Sequence, residues 1–370
     1  MEVPGPSLLG FREWLDSLRP MPLGRRRYPN RVPVTSLARQ QQSLTDTALD
    51  LSMLRPAASQ ENATSAETFL YLGYGSNLSA ETFLGKRGIR PLSQVNVVVP
   101  SLSLSFDLPG VPYSEPCFAN SRLRDPSGAA LFFDDLHDQD YHKDRWHKGL
   151  VGVVYEVTRE DYAHIIATEG GGSGYQDVVV ECFALSGDPT EDVPWTPSGH
   201  YFKAHTLFAP SSGERRPDQS YAQPSPRYLK LITDGAVEHD LPLEYQSFLH
   251  QIRTYHLTTV KQQLGSYIFL SVWAPLFLFF LGSAPLFARP DGTYPKWLAT
   301  FLRAMFTAVW ASYDGFFKPT FGDGERTIGD TEEDDDDDDC FKRGIDEKVP
   351  LIEQVPQPKY GSVTVVEVMV

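Results

Sequence analysis

The chain has 370 residues, of which 41% are hydrophobic and 22% charged, so it has room for one or two domains with a sizeable core. Its formal net charge is −15, and residues 318–370, with 15 acidic and 6 basic residues, carry −9 of it. This acidic balance argues against a nucleic-acid partner, because binding to a phosphate backbone needs clustered Lys and Arg. The three widely spaced cysteines predict neither a disulfide framework nor a metal site.

Residues 1–66 are rich in Pro, Arg, Ser and Gln and lack a sustained hydrophobic period, so we predict a mostly disordered region. One short apolar stripe at helical spacing is the exception, and it ends before Pro20. The stripe consists of Leu8, Phe11, Leu15 and Leu18. We predict a short amphipathic helix that packs on the folded part of the chain, with a membrane surface as the alternative.

Residues 67–258 show the mixed pattern of a globular domain, with more strands than long helices. The predicted strands are 69–74, 95–99, 101–106, 149–157 and 178–185, and the predicted helices are 161–168 and 241–252. A turn with capping residues follows the first strand. This pattern predicts an α+β fold with a small sheet that is closed or strongly curved.

Residues 265–317 form the most apolar region of the chain. The 22 residues from Tyr267 to Ala288 carry no charge, and a helix of that length crosses a bilayer core of about 30 Å. The stretch from Trp297 to Trp310 is shorter and contains Arg303, so we predict that it is interfacial or re-entrant. We predict membrane association through Tyr267–Phe317, and the alternative is a buried helical hairpin of a soluble domain.

Residues 318–370 are predicted to form an acidic, disordered tail. Its unbroken acidic run from Glu332 to Asp339 repels itself and stays solvated. The sequence identifies no protein partner. Arg253 and Lys261 precede the apolar region, which predicts that residues 67–258 face the cytosol; a cytoplasmic protein is the alternative.

The first element that could carry chemistry is the turn Tyr74-Gly75-Ser76-Asn77 after the first predicted strand. Backbone N–H groups in such a turn hold a carboxylate or an oxyanion without a cationic side chain. An ordinary capped strand–helix turn has the same pattern.

The second element is Glu169, which ends a predicted helix and precedes four glycines within residues 170–174 and then Tyr175. Glycines let the backbone approach a ligand closely, and a partly buried carboxylate suits general acid–base catalysis near neutral pH. A flexible loop with a surface glutamate is the alternative. The chain contains no P-loop, no HExxH and no G-x-S-x-G motif, so the sequence supports neither metal nor nucleophilic catalysis.

Together and in this order, these elements resemble the eukaryotic γ-glutamylcyclotransferase family. The segments that match are Tyr74–Asn77 (Y-G-S-N), Glu169–Gly174 (the glutamate and its loop), Leu150–Tyr155 (the preceding strand), Pro224–Tyr228 (P-S-P-x-Y) and Leu241–Gln246 (L-P-L-E-Y-Q). The resemblance spans about half of the chain. Cyclotransferases of this branch also occur in fungal toxin clusters of the gliotoxin type.

The resemblance implies a small β-barrel-like fold and an enzyme that converts a γ-glutamyl amide into 5-oxoproline and a free amine. The substrate would be a γ-glutamyl amino acid, glutathione or a glutathione-derived conjugate, and its α-amine would attack its own γ-carbonyl. Glu169 is implied as the acid/base. The implied substrate-binding residues are Tyr74, Gly75, Ser76, Asn77 and Tyr175. No cofactor or metal is implied.

The chain departs from the family pattern at two positions. His205 takes the place of a tyrosine that lines the pocket in close relatives, and Tyr175 is offset by one residue. Two other classes of protein remain as alternatives. One is a binding module without turnover, which the presence of Glu169 disfavours, and the other is a membrane-associated adaptor that acts through Tyr267–Phe317 and the tail.

Overall fold

A computed structural model describes residues 32–49, 67–124, 143, 145–168, 176–208, 216, 221–287 and 295–328. The chain divides into two compact units, 1–328 and 329–370, and all of these residues lie in the first. Strands and helices alternate irregularly along it, which confirms the predicted α+β class.

Within the described residues, seven strands form a five-stranded sheet and a two-stranded ribbon. They are β1 Thr68–Gly73, β2 Ser93–Val99, β3 Leu102–Val111, β4 Glu115–Leu123, β5 Leu150–Thr158, β6 Gln176–Ala184 and β7 Tyr201–Phe208. The strand order in the sheet is β1-β5-β2-β6-β7, and a parallel pair between Tyr71 and His205 closes it into a barrel. The antiparallel ribbon is β3–β4. In β5, Leu150, Val151, Val153 and Val154 are all fully buried, because both faces of this strand are covered.

The helices pack around the barrel or follow it in the chain. They are α1 Leu37–Gln42, α2 Arg159–Thr168, α3 Pro226–Glu238, α4 Leu243–Gln251, α5 Val260–Phe287, α6 Lys296–Ser312 and α7 Lys318–Phe321. Short 3₁₀ segments cover Ser43–Thr45 and Ser76–Leu78, and π-helical segments cover Glu81–Lys86 and Tyr313–Phe317. The start of α3 follows from its sequence, since the Ser225 side chain accepts the Tyr228 N–H and Pro226 occupies the first turn.

Residues 32–49 are ordered, although they lie in a region that the composition predicts to be mostly disordered. Val34 bridges to Gln94 of β2, and the Arg39 guanidinium donates to the Thr68 carbonyl oxygen (2.8 Å) and to Glu156 (3.1 Å). Composition misses this segment because polar side chains, rather than an apolar face, make these contacts. The predicted amphipathic helix with Leu8 and Leu18 lies outside the described residues.

A second hydrophobic cluster joins α5, α6 and the end of the ribbon. Its buried members include Val111 and Tyr113 from the ribbon, Phe269 and Phe277 from α5, and Leu302, Phe306 and Val309 from α6. Residues 318–328, which the composition assigns to the acidic tail, are folded in the structure. The reason is that the acidic side chains of this stretch are paired: Glu325 with Arg216 at 2.8 Å, and Asp323 with Lys318 at 3.2 Å.

Among the described residues, Val260–Phe280 within α5 is long and apolar enough to cross a membrane. Of the most apolar 18-residue stretch of this segment, 22% is buried. Core helices of soluble proteins pass the same test of length and composition. One face of α5 packs on the second cluster, and the other carries an exposed stripe at helical spacing. The stripe consists of Leu264, Ile268, Val272, Leu276 and Phe279.

Candidate active site

The turn Tyr74–Asn77 leaves the end of β1 and enters the 3₁₀ segment Ser76–Leu78. The N–H of Leu78 donates to the Gly75 carbonyl oxygen at 3.0 Å, and the N–H of Ser79 donates to the Ser76 carbonyl oxygen at 3.1 Å. Ser76 and Asn77 are buried, whereas Tyr74 and Gly75 are half-buried. The four residues therefore form a compact turn whose first half remains accessible.

Two residues flank Gly75 and form the walls of this site: Ala119 from the ribbon and Tyr228 from α3. A Cβ atom on Gly75 would lie 3.4 Å from the Ala119 Cβ and 3.4 Å from the Tyr228 Oη. The two walls are joined to each other, since the Ala119 N–H donates to the Tyr228 Oη at 3.1 Å. The Tyr74 hydroxyl donates to the Ser121 Oγ at 3.2 Å. The P-S-P-x-Y segment thus brings Tyr228 to a turn about 150 positions earlier in the chain.

Helix α3 approaches this turn closely because it carries a glycine at the contact. A Cβ atom on Gly235 would lie 2.5 Å from the Leu78 carbonyl carbon and 2.7 Å from the Ser79 nitrogen. Real Cβ atoms essentially never come so near to a backbone atom. Only glycine therefore allows this packing, in which the helix fixes the position of the turn.

Tyr155 and His239 bind the backbone carbonyl oxygens in the buried half of the turn. The Tyr155 hydroxyl donates to the Asn77 carbonyl oxygen at 3.2 Å and lies 2.8 Å from His239 Nε2. Nε2 is also 3.1 Å from the Leu78 carbonyl oxygen, and Gln94 Nε2 is 3.3 Å from Nδ1. The tautomer with a proton on Nε2 fits these contacts: the Nε2–H is shared between the Tyr155 Oη and the Leu78 carbonyl oxygen, and Nδ1 accepts from Gln94. Burial lowers the pKa of His239 to about 4, so the ring is neutral at physiological pH.

The side chain of Asn77 is held by Tyr71. Its Nδ2 donates to the Tyr71 Oη at 2.8 Å, and the Tyr71 ring stacks on Phe83 with centroids 6.3 Å apart. The Phe83 ring in turn stacks on Tyr155 at 4.3 Å. The Asn77 amide is therefore held by a tyrosine whose ring belongs to a stack of three aromatic side chains.

A buried carboxylate, Asp177, lies where α2 and β6 come together. The Tyr162 hydroxyl donates to Asp177, and His205 Nδ1 lies 2.9 Å from its Oδ2. The Leu49 N–H also donates to Asp177, at 2.6 Å. Burial, followed by the nearby Asp177 charge, raises the pKa of Tyr162, which keeps its hydroxyl protonated as a donor. His205 is buried, and its Nδ1 binds this carboxylate.

Of the six predicted site residues, four are described and are contiguous in the turn: Tyr74, Gly75, Ser76 and Asn77. Glu169 and Tyr175 lie outside the described residues, between the end of α2 at Thr168 and the start of β6 at Gln176. Sequence reasoning missed Gly235, His239 and Tyr155. A glycine inside a helix is a usable signal for the first, since such a glycine often marks close packing.

No group of three His, Cys, Asp or Glu side chains with metal-binding geometry occurs within the described part of the chain. The thiols of Cys117 and Cys182 are buried, and burial raises the pKa of Cys117 to about 12. These two cysteines are therefore protonated and poor nucleophiles at neutral pH.

Comparison with known proteins is consistent with this geometry. A family model described as the AclK C-terminal domain matches residues 259–320. The γ-glutamyl cyclotransferase aclK of Aspergillus oryzae is 33% identical over 265 residues, which cover 69% of this chain and 89% of that protein. The γ-glutamyl cyclotransferase gliK of Aspergillus fumigatus is 28% identical over 258 residues, 69% of this chain and 88% of that protein.

A solved structure of a γ-glutamyl cyclotransferase is 22% identical, covers 52% of this chain and 92% of its own, and has a TM-score of 0.35. The relationship to aclK extends over most of both proteins, and the family model covers the C-terminal helices α5 and α6. The chain therefore belongs to the fungal γ-glutamyl cyclotransferase family, and it is an enzyme of that type.

Proposed function

We propose that this enzyme releases 5-oxoproline from a γ-glutamyl amide, with Glu169 as the acid/base and the turn Tyr74–Asn77 as the site that holds the glutamyl group. The proposal rests on the packing around Gly75, where residues from the ribbon and from α3 meet the turn. The ribbon and Tyr228 meet at one accessible backbone position, while Tyr155 and His239 fix the buried half of the same turn.

The chemistry needs few protein groups. When the α-amine and the γ-carbonyl belong to one bound substrate, closing the five-membered ring is intramolecular, and good orientation is worth about 7–11 kcal/mol of the barrier. The attacking amine loses a proton and the leaving amine gains one. A single carboxylate can carry that proton between them, which contributes about 10²–10⁴-fold. Glu169 has this role in the proposal.

The oxyanion that forms on the γ-carbonyl needs fixed donors in the transition state. We assign this role to the backbone N–H groups of Gly75 and Ser76, with Tyr74 and Asn77 beside the glutamyl portion. Such donors stabilise a developing charge without reorganising, which is worth about 2.7–4 kcal/mol for one donor in other enzymes. The close packing of α3 at Gly235 and the neutral His239 support a rigid turn of this kind.

The proposed substrates share a γ-glutamyl group and differ in the leaving amine: γ-glutamyl amino acids, glutathione and glutathione S-conjugates. The test is release of 5-oxoproline by the full chain from each of these, with α-glutamyl dipeptides as matched controls. We expect release from at least one γ-linked compound and none from the α-linked isomers. A folded chain that releases no 5-oxoproline from any member of the panel would refute the proposal and favour a binding module.

We also propose that the enzyme associates with a membrane through α5, with its barrel on the cytosolic side. The exposed stripe on α5 supports this, since Val272 and Leu276 are 50% and 43% exposed on an uncharged stretch. The full chain is expected to float with phosphatidylcholine vesicles, whereas Val272→Lys combined with Leu276→Lys stays in solution. Leu92→Lys, at a similarly exposed position near the barrel, is the control and should still float. A wild-type chain that never floats would contradict membrane association.

A further inference from the structure

The hairpin that joins β3 and β4 is held by a segment about 210 residues later in the chain. The N–H of Tyr113 donates to the Gly324 carbonyl oxygen at 2.7 Å, and its hydroxyl donates to the Gly322 carbonyl oxygen at 2.8 Å. Tyr113 is buried and has a left-handed φ of 65°, which is rare for a residue with a large side chain. Such a conformation persists only where the surroundings determine it. We name residues 322–328 the C-terminal clasp.

The clasp also holds the residues that precede α3. The N–H of Gln223 donates to the Glu325 carbonyl oxygen at 2.9 Å, and the N–H of Thr327 donates to Gln223 Oε1 at 2.7 Å. The Tyr221 hydroxyl donates to the Asp323 carboxylate. Gln223 is fully buried and lies two residues before Ser225, the N-cap of α3. The clasp therefore fixes the entry of the chain into this helix.

The two carboxylates of the clasp pair with basic side chains, and these ion pairs hold the clasp on the rest of the fold. Glu325 is 1% exposed and pairs with Arg216 at 2.8 Å, and the Arg216 guanidinium lies 4.3 Å from the centre of the Trp310 ring. Asp323 pairs with Lys318 at 3.2 Å and caps the N–H groups of Glu325 and Arg326. A buried carboxylate that keeps its charge requires partners of this kind.

The two elements that the clasp holds are the two walls of the substrate-binding turn. The ribbon continues from Tyr113 to Ala119, and α3 begins just before Tyr228. Ala119 and Tyr228 both lie 3.4 Å from the position of a Cβ on Gly75, and the Ala119 N–H donates to the Tyr228 hydroxyl. A displacement of the clasp would therefore change the geometry at Gly75 through both walls.

We propose that the C-terminal clasp is a positioning element of the active site. It holds the ribbon and the start of α3 against the turn, so the C-terminal part of the chain contributes to substrate binding without touching the substrate. This inference rests on the proposed role of the turn.

The test uses two glycines of the same region in the full chain. A Cβ on Gly324 would lie 2.9 Å from the Tyr313 ring and 3.0 Å from the Tyr113 ring, whereas a Cβ on Gly315 meets no atom within 4 Å. Neither glycine has a left-handed φ, so alanine fits both backbones. Gly324→Ala is expected to raise KM about tenfold and change kcat by less than about twofold, because it displaces binding groups rather than the acid/base. Gly315→Ala is expected to keep the wild-type KM.

Hydrogen exchange of the same proteins gives a second readout that does not need activity. Gly324→Ala should speed exchange in residues 74–79 and 115–123 at temperatures where the protein remains folded. A variant with lowered thermal stability but wild-type KM and wild-type exchange in these residues would overturn the proposal. If the wild-type chain forms no 5-oxoproline but the exchange effect appears, the proposed function fails while the clasp retains its positioning role.

Discussion

Replacing Glu169 with Gln is expected to lower kcat for 5-oxoproline release by about 10²–10⁴-fold and to leave KM within a few-fold of the wild-type value. The amide keeps the size and hydrogen-bonding shape of the carboxylate but cannot take a proton from the attacking amine. In the proposed site, the turn Tyr74–Asn77 binds the substrate, and Glu169 is not part of that turn. The measurement is steady-state kinetics with the best γ-glutamyl compound of the panel.

Glu160→Gln is the matched control, because Glu160 is an exposed glutamate at the other end of α2. It should retain wild-type kcat. Comparable losses in both variants, or a fully active Glu169→Gln, would show that the proton is carried by another group.

Replacing Gly235 is expected to have the largest effect on stability. An alanine in the middle of a helix normally gains about 0.5–1 kcal/mol over glycine. Here its Cβ would lie 2.5 Å from a backbone carbon of Leu78, and overpacking against such a rigid neighbour costs about 1–3 kcal/mol. The overpacking cost wins, so Gly235→Ala should lower the free energy of unfolding by about 1–2 kcal/mol, and Gly235→Val by more.

The same change should weaken substrate binding, because α3 can relieve the overlap only by moving away from the turn. Chemical denaturation and KM are the two measurements. Gly187→Ala, at a glycine with no atom within 4 Å of the added Cβ, is the control and should change neither. Wild-type stability in Gly235→Ala would mean that α3 does not fix the turn as described.

The sequence predicts the parts of the fold that depend on local pattern. The apolar run before Tyr74 indicates β1, and the apolar spacing in residues 241–252 indicates α4, because both signals lie within a few residues. The closing pair between β1 and β7 depends on residues more than 130 positions apart, Tyr71 and His205, and no local pattern encodes it.

The difference between local signals and long-range contacts also explains which residues of the candidate site the sequence does not predict. The turn is visible in the sequence as Y-G-S-N, but its supports, Tyr155 and His239, act through hydrogen bonds between distant segments. The acidic composition of residues 318–370 predicts a disordered tail, but the clasp within this range is folded. In the fold, Arg216 pairs with Glu325 and Lys318 pairs with Asp323, and no local pattern in the sequence indicates these pairs.

In the proposed reaction, the substrate's own α-amine, and not water, attacks the γ-carbonyl carbon and cleaves the γ-glutamyl amide bond. This claim is tested most directly by incubating the full chain with a γ-glutamyl amide and with its N-acetylated counterpart, both in water labelled with the heavy oxygen isotope. The account predicts 5-oxoproline without label from the free amine and no release from the N-acetyl compound. Labelled glutamate from either compound would show hydrolysis and contradict it.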